Sequence, residues 1–352
     1  MSVYPDNPSV FTIHHLRFTA EVLTTIEMGE FKGSALRGAW QSHLRTLYCA
    51  KGDSGDPLHQ SLCPVCYLLS READPSDNRR PYAFEPPLTP QTLFRPGEGF
   101  TFGITIFGQA VQFLPYIVLS VQQMGVAQGL GRPSKDSIGG KPSNAPIGGR
   151  LTYPGKRRGT FKLLRIDEVN RLTGEAETLY TAGNPTIQMP QHPVTAEWVE
   201  LYSARLAREL AVRGSLLTLE FLTPTRLIQG ERLVHQPEFA PLLARLVDRV
   251  STLRAQFAAA PPVTYEEKGA LMALAAQVRR ESDQTHWWDV KGLSTRLGRP
   301  QPLGGFVGRV TYRAGDWGPL LPWLIWGAST HVGKNAVKGG GWYRLSPPPA
   351  QE

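Results

Sequence analysis

The sequence has few cysteines and no long apolar run. Only three of its 352 residues are cysteine, too few for the disulfide framework of a small secreted domain. The longest apolar stretches, residues 114–121 and 320–326, fall short of the roughly 20 residues that a membrane helix needs. Residues 1–8 lack the basic and then apolar pattern of a secretory signal. These shortages predict a cytoplasmic protein without a membrane partner.

Charged residues are also scarce, and they are unbalanced in sign. They make up 19% of the chain against 41% hydrophobic residues, a ratio that permits a packed core and excludes a disordered chain. Lys and Arg number 38, Asp and Glu 30, and the net charge is +8. A basic surplus favours a polyanionic partner such as nucleic acid. An ordinary basic enzyme explains the charge equally well.

Hydrophobic periodicity predicts two halves with a similar order of elements. Residues 10–22 are typical of a strand, and residues 34–45 carry apolar side chains at helical spacing. The further predicted elements are strands at 100–106, 215–222, 285–290, 305–312 and 342–345 and helices at 111–124, 239–257, 269–280 and 317–326. This order predicts an α+β fold of two tandem ferredoxin-like domains. Prolines between residues 184 and 193 place the boundary near residue 190, giving domains 1–190 and 191–352.

Residues 129–159 are rich in glycine, proline and basic side chains. A loop of this length and charge is more often a binding element than a filler. Lys156, Arg157 and Arg158 are therefore candidate contacts to a phosphate backbone. A solvated insertion without a binding role is the alternative.

All three cysteines lie in one short region. Cys63 and Cys66 have the spacing that lets two thiolates hold one tetrahedral metal ion, and Cys49 could be a third ligand. No fourth cysteine exists, although His59 is close by. A structural zinc site and a group of inert buried thiols are both consistent with this pattern.

The most informative stretch is the glycine segment, which we define as residues 331–342. Its glycines remove side chains where a backbone must approach something closely, and its lysines add positive charge at the same place. The candidate phosphate-binding residues here are Gly333, Lys334, Lys338, Gly339, Gly340 and Gly341. The spacing is not that of a nucleotide-binding P-loop.

Together with residues 304–312 (GGFVGRVTY), this segment resembles the C-terminal signature of CRISPR-associated repeat-processing endoribonucleases of the RAMP superfamily. Residues 31–38 (FKGSALRG), which include Arg37, resemble the first glycine-then-helix segment of that family. Residues 80–85, 102–108, 129–131 and 222–226 also fit. Some members carry a cysteine where this chain has Arg80, and that difference weakens the zinc interpretation.

The resemblance implies two ferredoxin-like domains and metal-independent cleavage of CRISPR repeat RNA. A ribose 2′-hydroxyl would displace the 5′-oxygen of the next nucleotide, a reaction that needs a base, an acid and a cation. His43 and His331 are the candidates for proton transfer, Lys334 is the candidate cation, and Arg37 is a candidate RNA contact. A non-catalytic RAMP subunit that scaffolds guide RNA among interference-complex subunits is the alternative.

Two further groups have less specific patterns. His14 and His15 lie on one strand, where at most one can face the core, and we interpret both as structural. Trp287, Trp288 and Trp342 could stack on unpaired bases. Aromatic residues in strands belong more often to the core.

Overall fold

The structure is a computed structural model that describes residues 11–49, 56–69, 79–134, 157–294 and 299–347. The chain is an α+β protein with two main antiparallel sheets. Up to residue 181 the strands are β1 (Ile13–Val22), β2 (Ile26–Glu27), β3 (Tyr82–Glu85), β4 (Leu93–Phe94), β5 (Gly99–Phe107), β6 (Leu130–Ser134), β7 (Arg157–Gly159), β8 (Phe161–Val169) and β9 (Ala176–Thr181). The helices there are α1 (Gly33–Tyr48), α2 (Pro57–Leu62), α3 (Pro64–Leu69) and α4 (Leu114–Gln123), with a 3-10 helix (Gly108–Phe113) before α4 and a π-helical turn (Met124–Gln128) after it.

The rest of the chain repeats this alternation of strands and helices. Its strands are β10 (Leu216–Thr225), β11 (Leu227–Gln229), β12 (Arg232–Val234), β13 (Arg279–Trp288), β14 (Lys291–Ser294), β15 (Arg299–Pro302), β16 (Gly305–Arg313) and β17 (Tyr343–Ser346). Its helices are α5 (Ala196–Val212), α6 (Phe239–Ala258), α7 (Tyr265–Ala275) and α8 (Leu321–Thr330), followed by a 3-10 turn (Ala336–Lys338).

The two main sheets place equivalent strands in equivalent positions. The order is β3-β5-β1-β8-β9 in the first sheet and β13-β16-β10-β17 in the second. In the first sheet, β1 lies between β5, which pairs with β3, and β8, which follows α4. In the second sheet, β10 lies in the same way between β16, which pairs with β13, and β17, which follows α8. The alternation along β1 puts Leu16, Phe18 and Ala20 into the first core.

The two halves share a packed boundary at the start of β1. Ile13 exchanges backbone hydrogen bonds with Val194, at N···O distances of 3.0 and 2.8 Å. Phe11 packs against Trp326 of α8, with ring centroids 5.2 Å apart. Phe11, Ile13 and Phe107 all belong to the hydrophobic core of the second half. The second half therefore covers the start of β1 on the face that points away from the first core.

Several elements differ from the prediction. Helix α5 was not predicted, although Thr195 accepts a hydrogen bond from Trp198 N at its start and Val199 and Leu206 bury one face. Strand β13 begins at Arg279, inside the predicted helix 269–280. It lies at the sheet edge with most residues exposed, so the sequence shows little of the alternation that marks a half-buried strand.

One helical stretch contradicts the expectation that no segment approaches membrane-spanning length. By length and composition alone, Gly108–Ala127 could cross a membrane, because the 3-10 helix, α4 and the π-helical turn run on without a break. Half of that stretch is buried inside the protein. Ile117, Val118 and Val121 pack into the first core, as expected of a core helix.

The basic loop is only partly described. Its ends form strands β6 and β7, which pair with each other. Arg157 and Arg158 are exposed on β7. Lys156 lies outside the described residues, and its predicted role remains a prediction.

Candidate nucleic-acid interface

The glycine segment lies between the two main sheets, against the start of α1. Thr223 of β10 donates its hydroxyl to Gly339 O at 2.7 Å, and Gly341 N donates to Pro224 O at 3.0 Å. A Cβ on Gly33, the first residue of α1, would lie 1.7 Å from Lys338 O. The segment therefore touches elements of both halves.

Three of its glycines are needed for contacts inside the protein. Gly339, Gly340 and Gly341 are buried. Gly339 has φ of 91°, and a Cβ there would lie 2.7 Å from Phe84 O. A Cβ on Gly341 would lie 1.8 Å from Val332 O. Internal backbone packing thus accounts for these glycines, and their predicted contact with RNA remains a prediction.

The exposed part of the segment carries the positive charge. Lys334 is exposed, and its backbone N–H donates to Arg226 O at 2.9 Å. Gly333 has φ of 78°, with Arg226 O only 2.4 Å from the position of a Cβ. Lys338 is half-buried and donates from Nζ to Gln301 Oε1 at 2.8 Å. Lys334 is therefore better placed than Lys338 to contact a ligand.

Arg226, Trp287 and His235, together with Lys334, form a surface that we call the Trp287 platform. The Arg226 guanidinium lies 5.9 Å from the Trp287 ring centroid, and the His235 ring lies 4.8 Å from it. Trp287 is half-buried and His235 is exposed. A partly exposed indole among cations can stack a base while the cations meet its phosphate. Arg226 and His235 were not predicted as site residues, because they lie far in the sequence from Trp287 and Lys334.

A cleft of about 290 Å³ opens beside the buried glycines. Pro86 and Thr223, both in contact with Gly339, line it together with Trp288. Trp288 donates from Nε1 to Glu30 Oε2 at 3.2 Å. The cleft offers an aromatic wall and polar groups at the mouth of the glycine segment.

Lys32, the residue before α1, lies beneath this cleft and is completely buried. Its ammonium donates to Thr89 O at 2.7 Å and to Glu30 O at 3.0 Å. Burial lowers the pKa of Lys32, and the charge of Glu30 opposes that shift. Lys32 therefore fixes the loops around the cleft rather than offering a cation at its surface.

His331 is sealed where the two halves meet. Its side chain is 0% exposed, and neither ring nitrogen has a hydrogen-bond partner among the described residues. The ring stacks on Trp342, with centroids 5.9 Å apart and planes at 13°. Burial lowers its pKa to about 3, against the opposing charge of Glu85. Its backbone, at φ of 63° and ψ of 171°, lies in a region that essentially only glycine adopts.

His43 is also buried, on the face of α1 that carries Leu36, Trp40 and Leu44 into the core. Neither of its ring nitrogens has a partner in the described ranges, and burial lowers its pKa to about 4. No hydrogen bond between ring nitrogens therefore joins His43 to His331. That the two histidines act in one site stays a prediction. Arg37 is half-buried on the same helix.

A second histidine cluster, unlike these two, has a full set of partners. His15 Nδ1 lies 3.1 Å from Glu85 Oε1 and from Thr105 Oγ1, and its Nε2 lies 3.0 Å from Ser329 Oγ of α8. Arg171 forms a close ion pair with Glu85. Burial raises the pKa of Glu85, but Arg171 and His15 together hold it well below its usual range. The sequence showed these residues only as scattered polar positions.

His14 and His15 do point to opposite faces of β1, as the alternation predicts, but both are buried. The expectation that only one could be covered was incomplete, because the second half covers the outer face. His14 Nδ1 lies 2.7 Å from Glu168 Oε1. Both histidines thus have a structural explanation in their hydrogen bonds.

The predicted cysteines come together at the end of α1. Cys49, Cys63 and Cys66 lie with His59 so that one ligand atom from each is within 4.8 Å of the others. Cys49 Sγ is 3.4 Å from His59 Nε2 and 3.7 Å from Cys66 Sγ. This group could hold a structural zinc ion.

Comparisons with known proteins agree with this fold. A chain of a Cas6-RT-Cas1–Cas2 complex superposes with a TM-score of 0.59 at 13% identity, over 98% of this chain and 48% of that one. A Thermus thermophilus Cas6 superposes with a TM-score of 0.52 at 13% identity, over 96% of this chain and 99% of that one. This chain therefore spans about half the length of the first relative. No curated protein sequence matches it.

The two antiparallel sheets define an α+β protein with a Cas6-like fold. Residues 11–192 match the model of the AF_1859_N N-terminal domain, and residues 219–343 match the model of the CRISPR-associated endoribonuclease Cas6. The chain belongs to the Cas6 family of CRISPR-associated endoribonucleases.

Proposed function

We propose that this chain cuts CRISPR repeat RNA once within each repeat, without a metal ion in the reaction. The ribose 2′-hydroxyl attacks the adjacent phosphorus, the bond to the 5′-oxygen breaks, and the products carry a 2′,3′-cyclic phosphate and a 5′-hydroxyl. The attacking oxygen loses a proton and the leaving oxygen gains one. Family membership supports this proposal, as does the Trp287 platform beside the exposed Lys334.

We propose that the substrate lies along the glycine segment, between two ferredoxin-like domains. The matching strand orders of the two sheets support that domain type. Lys334 is the proposed cation for charge that develops on the phosphorane, because it is exposed. The other proposed RNA contacts are Arg37, Lys156, Arg157, Arg158, Gly333, Lys338, Gly339, Gly340 and Gly341.

His331 and His43 remain the proposed groups for proton transfer. For His331 the supporting observation is its strained backbone around a ring without hydrogen bonds. Such a conformation costs of order 1–3 kcal/mol, and strain of this kind clusters at functional sites. Both rings are closed off from solvent, so each acts only if RNA binding displaces the residues over it.

The same burial favours a second candidate function, a non-catalytic subunit that scaffolds guide RNA. In that case the Trp287 platform binds RNA and no histidine transfers a proton. We propose a cytoplasmic location and interference-complex subunits as further partners in either case. One of the similar structures is a Cas6-RT-Cas1–Cas2 complex.

Single-turnover incubation of the purified protein with repeat RNA and EDTA separates the two functions. Cleavage that yields a cyclic-phosphate end supports the endoribonuclease. Binding without cleavage supports the scaffold. If the histidines act as proposed, His43→Ala or His331→Ala lowers the cleavage rate at least about tenfold.

His235→Ala belongs in the same series, because His235 is the exposed imidazole of the Trp287 platform. A loss of cleavage in His235→Ala alone would indicate that exposed His235, and not buried His43 or His331, transfers the proton. His286→Ala is the matched control, because His286 is also exposed on the second half but lies outside the platform.

A further inference from the structure

The geometry points to a closed zinc site made of Cys49, His59, Cys63 and Cys66, with His59 as the fourth ligand. This inference does not depend on RNA cleavage. All three cysteines of the chain converge on one imidazole. Cys49 ends α1, His59 lies on α2, Cys63 follows α2, and Cys66 lies on α3. One ligand atom from each of these residues, on or next to three helices, lies within 4.8 Å of the others.

Two distances between ligand atoms are close to those of a tetrahedron around zinc. With Zn–S bonds of about 2.3 Å and a Zn–N bond of about 2.05 Å, tetrahedral angles place two sulfurs about 3.8 Å apart and a sulfur about 3.5 Å from the nitrogen. The structure has 3.7 Å between Cys49 Sγ and Cys66 Sγ and 3.4 Å between Cys49 Sγ and His59 Nε2. The two sulfurs are too far apart for a disulfide bond of about 2.05 Å.

The chemistry of the four ligands selects zinc over the hard cations. Three thiolates and one imidazole are typical of structural zinc sites, whereas calcium and magnesium prefer oxygen ligands. Four protein ligands fill a tetrahedral ion completely, so the ion has no open position for a substrate or a water molecule. The site is therefore structural and takes no part in the proposed RNA cleavage.

The surrounding helices need such a link. Helices α2 and α3 have six residues each, too short to be stable alone. Leu58 and Leu62 of α2 are exposed, so apolar burial contributes little to holding that helix. The zinc ion would join α2 to α1 through His59 and Cys49.

The site also affects how the two halves meet. Cys66 is followed by Tyr67, whose ring lies 5.0 Å from Phe113 in the first half and 6.3 Å from Phe257 on α6. Val65 and Leu68 of α3 are buried in the first core. By fixing α3, the metal holds Tyr67 between the two halves. Loss of zinc is expected to loosen that contact.

Metal content of the untagged, full-length protein tests the inference. Elemental analysis is expected to find one zinc ion per chain. Reaction of the protein thiols with a disulfide reagent should be slow, and at least about tenfold faster after treatment with a strong zinc chelator. Zinc well below one per chain, together with thiol reactivity that added zinc does not change, would overturn the inference.

Substitutions identify the fourth ligand. His59→Ala and Cys63→Ser should each lose the bound zinc, whereas His59→Cys should keep it, because a fourth thiolate can replace the imidazole. Leu62→Ser is the matched control on α2, because Leu62 is 72% exposed and offers no ligand atom. Full zinc content in His59→Ala would show that His59 is not a ligand. If a variant fails to fold, the zinc content and thiol reactivity of the wild-type chain still test the inference.

Discussion

His15 and His331 are both buried where the two halves meet, yet their surroundings are opposite. His15 has hydrogen-bond partners at both ring nitrogens, Glu85 and Thr105 at one and Ser329 at the other. His331 has none at either nitrogen within the described residues, and it holds a strained backbone. Buried polar groups normally have partners, so an exception requires an explanation. We therefore interpret His15 as structural and keep His331 as a proposed functional residue.

The largest expected effect on stability comes from substitution of Glu85, which contacts His15 Nδ1. Glu85→Ala removes the partner of buried His15 and of Arg171. Breaking a buried ion pair from one side costs about 3–5 kcal/mol, because it leaves an uncompensated charge. We expect the free energy of unfolding in urea to fall by about that amount.

Glu220→Ala is the matched control, because Glu220 also pairs with two arginines, Arg309 and Arg344, but on an open sheet face. Ion pairs in such exposed positions contribute about 0–1 kcal/mol. Equal losses of stability in Glu85→Ala and Glu220→Ala would show that burial does not distinguish the two clusters.

Alanine at each histidine tests the comparison directly. His15→Ala and His331→Ala remove the same ring, so the terms for lost packing are similar. Only His15→Ala also removes the hydrogen bonds to Glu85 and Ser329, which should cost about 1–3 kcal/mol more. Cleavage is expected to show the reverse order, with the greater loss in His331→Ala. If His15→Ala lowers the single-turnover rate as much as His331→Ala does, the functional assignment is wrong.

The strongest sequence signals were those with a local period or spacing. Strand β1, helices α1 and α6, and the Cys63–Cys66 pair were all predicted close to where the structure has them. Each depends on neighbours in the chain, such as apolar residues three and four apart on α6. Local patterns also sufficed to predict two similar halves.

Contacts between distant residues were not predictable in the same way. Glu85 and Arg171 come to His15 from other parts of the first half, and Ser329 does so only because the second half packs on the outer face of β1. The glycines of the glycine segment did indicate a close approach of backbones, but not that the approaching chain is Phe84 of the same protein. A single sequence shows that space is needed at a residue without showing which group occupies it.

The pH dependence of stability separates a buried neutral histidine from an ordinary one. Burial lowers the pKa of His331 to about 3, whereas the unfolded chain binds that proton near pH 6.5. Between these values the unfolded state carries the extra proton, so stability falls as the pH falls. The contribution of His331 is about 1.4 kcal/mol per pH unit. We expect His331→Ala to lose less stability than the wild type between pH 6 and pH 5, measured by urea unfolding, and parallel curves would contradict the burial of a neutral ring.

The smallest expected effect concerns Lys334 and Lys338, one exposed and the other held by Gln301. Each phosphate contact with single-stranded RNA contributes about 0.7 to the slope of log affinity against log salt. Lys334→Ala should lower that slope by about this amount and weaken all RNA sequences alike. Lys338→Ala should change it less, because its ammonium already has a partner inside the protein. Arg344→Ala, a control on the open sheet face, should leave the slope unchanged. A larger effect at Lys338 would mean that RNA follows the buried part of the glycine segment, and that His331 lies closer to the substrate than its burial suggests.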